Sequence, residues 1–165
     1  MSDSSAFKTP AGEAAFLQAY DEIMTMWPVA YEELEIPSRF GRTHVVTCGP
    51  ADAPPLVLLH GFMTTLAIWQ PNIADLSQDY RLYALDTMGQ PSKSMPDEPV
   101  RDAADYAVWL GATLDGLGLD RVDLAGISFG GWIALKFAMS APARVRKLAL
   151  LSPAASFLSL TMQFN

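Results

Sequence analysis

A serine between two glycines, Gly126-Ile127-Ser128-Phe129-Gly130, is the strongest chemical signal in this chain. Alone the pattern says little, since G-x-S-x-G arises by chance in about 5% of chains of this length at ordinary Gly and Ser frequencies. Its surroundings say more. An apolar run at 121–125 precedes it and a nearly all-apolar stretch at 129–140 follows, so the serine falls on a turn from a buried strand into a buried helix. Such a turn lifts the hydroxyl above a sheet, where it can attack a carbonyl. Gly126 and Gly130, having no Cβ, let strand and helix approach closely around it. The competing reading, a glycine-rich turn that holds a phosphate on a helix N-terminus, finds no G-x-G-x-x-G or G-x-x-x-x-G-K pattern in the sequence. Ser128 is therefore the candidate nucleophile.

Acyl transfer on a serine also needs donors aimed at the oxyanion. On a strand-to-helix elbow the first is the N–H of the following residue, here Phe129. The second comes from the loop after an earlier strand, here Leu59-His60-Gly61-Phe62, with Phe62 N–H as the donor and Gly61 permitting the turn. What the chemistry lacks is a base. No Asp, Glu or His follows Ser128, and both histidines, His44 and His60, precede it.

The elements that position these residues alternate. Phe16, Tyr20, Ile23 or Met24, and Trp27 recur at helical spacing within 11–27, and Pro28 ends the pattern. Strands are expected at 31–36 and 42–48, joined by a hairpin turn at Phe40-Gly41, and Leu56-Val57-Leu58-Leu59 reads as a strand buried on both faces. A helix over 66–78, a strand over 80–85 ending at Asp86, and a turn-rich loop with Gly89, Pro91, Pro96 and Pro99 follow. Val100, Ala103, Ala107, Leu110, Leu114 and Leu117 mark a helix face capped by Gly118, and 145–151 is the last strand. Strand and helix alternating in this way predict an α/β fold with a mostly parallel sheet flanked by helices.

Three segments carry a resemblance to a known family: Leu56-Val57-Leu58-Leu59-His60-Gly61-Phe62, Asp86-Thr87-Met88-Gly89-Gln90-Pro91-Ser92-Lys93-Ser94, and Leu124-Ala125-Gly126-Ile127-Ser128-Phe129-Gly130-Gly131-Trp132. Over residues 28–155 the chain resembles the N-terminal part of an α/β-hydrolase, closest to bacterial carboxylesterase-like members. The middle segment resembles the family's D-x-x-G-x-G-x-S loop, with Gln90-Pro91 in place of the second glycine region. By resemblance, Asp86 is expected as a turn former and His60 as a brace for the oxyanion loop. Ser128 excludes the haloalkane dehalogenase and epoxide hydrolase branches, which place Asp there. The resemblance also implies a triad order of Ser, then Asp or Glu, then His, and a core of about eight strands, of which this chain supplies about six.

The domain reading that follows is an N-terminal helical extension at 1–30, an α/β-hydrolase core at 31–152, and the start of a cap segment at 153–165. The expected function is hydrolysis of carboxylic esters through an acyl-enzyme on Ser128, with this chain as the nucleophile-bearing part, inactive or weak alone. The alternatives are an inactive truncated chain acting as a binding or self-assembling module, and an acyltransferase or carbon–carbon bond hydrolase on the same elbow. The apolar strand at 145–151 is expected to be an open edge that pairs with the C-terminal remainder of the hydrolase or with a second copy of this chain.

Composition narrows the partners. A net charge of -7 and a pI of about 4.6, without a basic cluster, argue against nucleic acid. No apolar run reaches the ~20 residues of a membrane span, and the polar start lacks a signal core, so a cytoplasmic protein is expected. The single cysteine, Cys48, permits no internal disulfide and no zinc site, and is expected in the core. No metal and no organic cofactor is implied. Trp69, Trp132, Phe62 and the apolar tail (Phe157, Leu158, Leu160, Met162, Phe164) suggest a pocket for a small hydrophobic ester or acyl substrate.

Overall fold

A computed structural model describes residues 7–154. The expected apolar tail and most of the cap segment lie outside the described residues.

The chain runs α1 (Pro10–Met24), β1 (Glu32–Ser38), β2 (Gly41–Cys48), β3 (Pro55–Leu59), a 3-10 turn (Leu66–Trp69), α2 (Gln70–Asp79), β4 (Arg81–Leu85), β5 (Met95–Pro96), α3 (Ala103–Gly116), β6 (Val122–Ile127), α4 (Phe129–Ser140), a second 3-10 turn (Pro142–Arg144) and β7 (Val145–Leu151). One sheet takes the order β1-β2-β4-β3-β6-β7, with the short β5 beside β2. The β1–β2 and β2–β4 pairs are antiparallel, whereas β3–β4, β3–β6 and β6–β7 are parallel. This is the mostly parallel α/β sheet that the alternation predicts. The seventh strand, Met95–Pro96, falls inside what reads as a loop, because two residues, one of them proline, carry no strand pattern.

Two apolar layers cover the sheet. On one face α1, the first 3-10 turn and α2 bury Tyr20, Met24, Trp27, Trp69 and Ile73 against Val46, Leu58 and Leu82. On the other, α3 and α4 bury Trp109, Leu110, Leu114, Ile133 and Phe137 against Val45, Val57 and Leu124. Strands β3 and β6 are thus covered on both sides, which is why they read as continuous apolar runs. Cys48 is a free, buried thiol in the first layer.

Boundaries differ from expectation where local chemistry intervenes. The expected helix at 66–78 is two pieces, because Pro71 lacks an N–H and is accommodated only in the first turn of a new helix, after a tighter 3-10 turn. The expected helix at 11–27 stops at Met24, where the Thr25 hydroxyl bonds back to the Glu22 carbonyl, and Trp27 packs from beyond the helix end. On α3 the buried face is Tyr106, Trp109, Leu110, Thr113 and Leu114. Counting aliphatic residues alone points to one side of that face and misses its aromatic centre.

The parallel register decides where the loops meet. Leu59 lies beside Gly126 and beside Leu85, so the segments leaving β3, β4 and β6 emerge together at the carboxyl edge of the sheet.

Candidate active site

Ser128 links β6 to α4 with φ 50° and ψ -109°, a conformation that an L-residue rarely adopts. Strain of this kind costs on the order of 1–3 kcal/mol and persists only where the surroundings over-determine it. They do so here. Ser128 N–H donates to the Leu151 carbonyl at 2.9 Å, and its own carbonyl accepts from Trp132 N–H at 3.0 Å and Ala154 N–H at 2.9 Å. The end of β7 and the first turn of α4 thus grip the elbow from both sides. A Cβ on Gly126 would meet the Gly130 backbone, and one on Gly130 would meet the Leu59 and His60 carbonyls. Both glycines are required by close backbone approach.

The His60-Gly61-Phe62 loop lies against the serine, since a Cβ built on Gly61 would sit 3.8 Å from Ser128 Cβ. Phe62 is half exposed, and its ring meets Phe129 edge-on with centroids 5.9 Å apart. Among the described residues neither Phe62 N–H nor Phe129 N–H has a hydrogen-bond acceptor, and the Ser128 hydroxyl has no partner. Phe129 also opens a helix of 12 residues, whose N-terminal dipole favours negative charge at that point. Tyr106 and Trp132 complete an aromatic group around Phe129, at 5.3 Å and 5.5 Å between ring centroids. Trp69 is not part of it: the ring is buried in the core layer on the opposite face of the sheet.

Both histidines are hydrogen-bonded within the fold through both ring nitrogens. Thr87 N–H donates to His60 Nε2 at 2.9 Å, which leaves the proton on Nδ1, where it bonds the Gly61 carbonyl at 2.8 Å. Burial pushes the His60 pKa down in spite of the nearby Asp86 charge, in keeping with this neutral ring. Its only lone pair is spent on holding the loop. His44 lies on β2, three strand positions from β6, roughly 14 Å across the sheet. Its Nδ1 faces Asp86 Oδ2 at 3.0 Å and its Nε2 faces Glu33 Oε2 at 2.8 Å.

Asp86 does more than form a turn. Fully buried at the end of β4, it accepts hydrogen bonds from the Tyr20 hydroxyl at 2.9 Å, from Leu66 N–H at 3.0 Å and from Lys93 N–H at 3.3 Å, besides His44. Lys93 Nζ extends the group to Asp21 at 2.8 Å and Glu33 at 3.2 Å. One carboxylate thereby ties α1, β2 and the segments following β3 and β4 together. The D-x-x-G pattern marks the position of Asp86 but not its partners, because Tyr20, Glu33 and His44 are remote in sequence and reach it only through the sheet order.

This network makes stability depend on pH. Burial opposes a charged His44, but the Asp86 and Glu33 carboxylates outweigh it and raise the pKa above 6.5. Burial likewise opposes a charged Glu33, and the bonds from His44 and Lys93 outweigh it, lowering the pKa below 4.5. The His44 contribution is complete below its unfolded value of about 6.5 and is lost as pH rises through the higher folded value. That of Glu33 is present above about 4.5 and is lost as pH falls through the lower one. Melting temperature is expected to be highest near pH 5–6 and to fall on the alkaline side. In His44→Gln that alkaline fall should flatten in thermal melts from pH 5 to 9; an unchanged slope would show that His44 is not its source.

Among the described residues no group of His, Cys, Asp and Glu is arranged to hold a metal ion, and no helix is long and apolar enough to cross a membrane.

Comparison with known proteins agrees with this geometry. Residues 54–165 match the family described as alpha/beta hydrolase fold. The chain is 41% identical over 157 residues to carboxylesterase YbfK of Bacillus subtilis, covering 95% of this chain and 53% of that protein. It is 44% identical over 149 residues to the uncharacterized carboxylesterase nap of the same organism, covering 90% and 50%. The crystal structure of naproxen esterase (carboxylesterase NP) from Bacillus subtilis superposes with a TM-score of 0.86 at 42% identity, covering 96% of this chain and 53% of that one. The chain spans about half the length of the curated relatives it matches.

Proposed function

The chain belongs to the α/β-hydrolase family, and from that premise we propose that it carries the nucleophile and oxyanion hole of a carboxylic ester hydrolase. The observation that carries this reading is the gripped, positive-φ Ser128 beside two unspent amides, Phe62 N–H and Phe129 N–H. Ser128 Oγ attacks the ester carbonyl carbon while its proton passes to a histidine, and the carbonyl oxygen takes up negative charge between the two amides. The tetrahedral intermediate collapses, the alcohol leaves with the proton, and water releases the acid from the acyl-enzyme by the same route. Those steps balance without a metal or organic cofactor. Phe62, Phe129 and Trp132 give the site an apolar, aromatic wall suited to a small hydrophobic acyl or alcohol group.

The histidine and its carboxylate partner are assigned to polypeptide that adds to β7. That strand is an edge of the sheet, with Arg146, Lys147, Leu148 and Ala149 exposed. A C-terminal remainder of the hydrolase suits this edge better than a second copy, since both histidines of any copy are committed within its own fold. The acyltransferase and carbon–carbon hydrolase alternatives differ in what that added segment brings.

Turnover of a p-nitrophenyl ester tests this division of labour. Residues 1–165 alone are expected to run at least ~10³-fold slower than a protein in which a His-bearing C-terminal segment is joined or added, because a serine without its base loses most of its rate. Equal Ser128-dependent turnover by the isolated chain would refute the need for an added segment.

A further inference from the structure

Gln90, beside the Pro91 that replaces the second glycine of the family's loop pattern, contacts the oxyanion loop directly. Its side-chain Oε1 accepts Met63 N–H at 3.0 Å. Met63 follows Phe62 and has φ 55°, a left-handed conformation that costs free energy in a non-glycine residue. Its side chain is 62% exposed, so packing does not hold it there. The hydrogen bond to Gln90 holds it, while the Gly61 carbonyl closes the same turn by accepting from Thr64 N–H at 3.4 Å and Thr64 Oγ1 at 2.9 Å. Gln90 is itself nearly buried and anchored, its N–H bonded to the Thr87 carbonyl at 3.1 Å and its carbonyl accepting the Ser92 hydroxyl at 3.1 Å. A Cβ on the preceding Gly89 would lie 3.9 Å from the Tyr106 hydroxyl, so the segment carrying Gln90 passes beside that side chain. The Tyr106 ring packs edge-on against Phe129, 5.3 Å between centroids. The segment carrying Gln90 therefore lies between the loop bearing one candidate oxyanion donor and the ring packed against the other.

We infer that Gln90 is a positioning residue for the oxyanion hole: by holding Met63 N–H it fixes the strained turn that keeps Phe62 N–H unspent beside Ser128. The inference rests on the reading of Ser128, Phe62 and Phe129 given above. It assigns a purpose to Gln90, which neither the serine motif nor the loop pattern requires. An oxyanion donor is worth roughly 10²- to 10³-fold in kcat, so loosening its turn without deleting it should cost about 10- to 100-fold. The loss should fall on kcat rather than KM, because the donor acts on charge that exists only in the transition state.

The test compares Gln90→Met, which keeps the shape and removes the acceptor, with Gln90→Glu, which keeps an acceptor for Met63. Amide hydrogen exchange is followed in residues 1–165, and p-nitrophenyl ester kinetics in the protein that also supplies the base. In Gln90→Met, exchange at residues 61–64 should speed by at least about tenfold while β3 and β6 stay protected, with kcat down about 10- to 100-fold and KM within about threefold. In Gln90→Glu, protection at Met63 should persist. Unchanged exchange at 61–64 in Gln90→Met, or faster exchange with full kcat, would overturn the inference. Failure of the parent reading looks different, since it appears as turnover that survives Ser128→Ala.

Discussion

Asp86→Ala is expected to destabilise the fold by about 3–5 kcal/mol, the range for removing one partner of a buried charge pair. The carboxylate is fully buried and accepts from a histidine, a tyrosine hydroxyl and two backbone amides. Its removal strands Leu66 N–H and Lys93 N–H without acceptors and leaves Tyr20 OH only the long 3.5 Å contact with His44 Nδ1. Asp86→Asn should recover part of the loss, since an amide oxygen still accepts from Leu66 N–H while the amide nitrogen cannot accept from Tyr20 or His44. Urea denaturation measures both. A change under about 1 kcal/mol for the alanine variant would show that the network is dispensable.

The effect should reach the site. Leu66 ends the segment that begins at His60, and Lys93 ends the one that begins at Asp86, so the same carboxylate fixes the far ends of the loop against Ser128 and of the loop that contacts it through Gln90. Burying a charge pair where apolar residues would pack is seldom the most stable choice. Its presence here is explained by what it holds in place.

Ser128→Ala, in the protein that supplies the base, is expected to lower kcat for a p-nitrophenyl ester by roughly 10⁴- to 10⁶-fold. The nearby Thr64 hydroxyl is not free to substitute, because Thr64 Oγ1 is committed to the Gly61 carbonyl at 2.9 Å. The fold should be unaffected or slightly more stable: the Ser128 hydroxyl makes no hydrogen bond among the described residues, while the positive φ remains strained for alanine as for serine. Ser128→Gly should relieve that strain and raise the melting temperature. Steady-state kinetics and thermal melts on the two variants separate the nucleophile from its strained backbone.

Much of this site was legible in the sequence because its parts are local. The elbow needs two glycines at fixed offsets from a serine, and the candidate donor loop follows directly from a buried strand, so periodicity and motif together point to Ser128, Phe129, Gly61 and Phe62 as the candidates, which the fold brings to one edge of the sheet. His60 as a brace was implied by resemblance, and the bonds to Gly61 and Thr87 supply its physical basis. The partners of Asp86 were not legible, since Tyr20, Glu33 and His44 come from α1, β1 and β2 and converge only through the antiparallel half of the sheet. Gln90 and Tyr106 were missed for a related reason: a glutamine in a loop and a tyrosine on a helix carry no pattern until the two elements are adjacent. Trp69 and Trp132 look alike in sequence and sit on opposite faces of the sheet, a distinction that only strand order makes.

Covalent trapping tests the central claim most directly. A fluorophosphonate offered to the protein that supplies the base should phosphonylate one residue stoichiometrically, and peptide mass spectrometry should place the adduct on the Ser128 peptide, with no adduct in Ser128→Ala. An adduct on any other residue, or none in a protein that hydrolyses esters, would contradict Ser128 as the nucleophile.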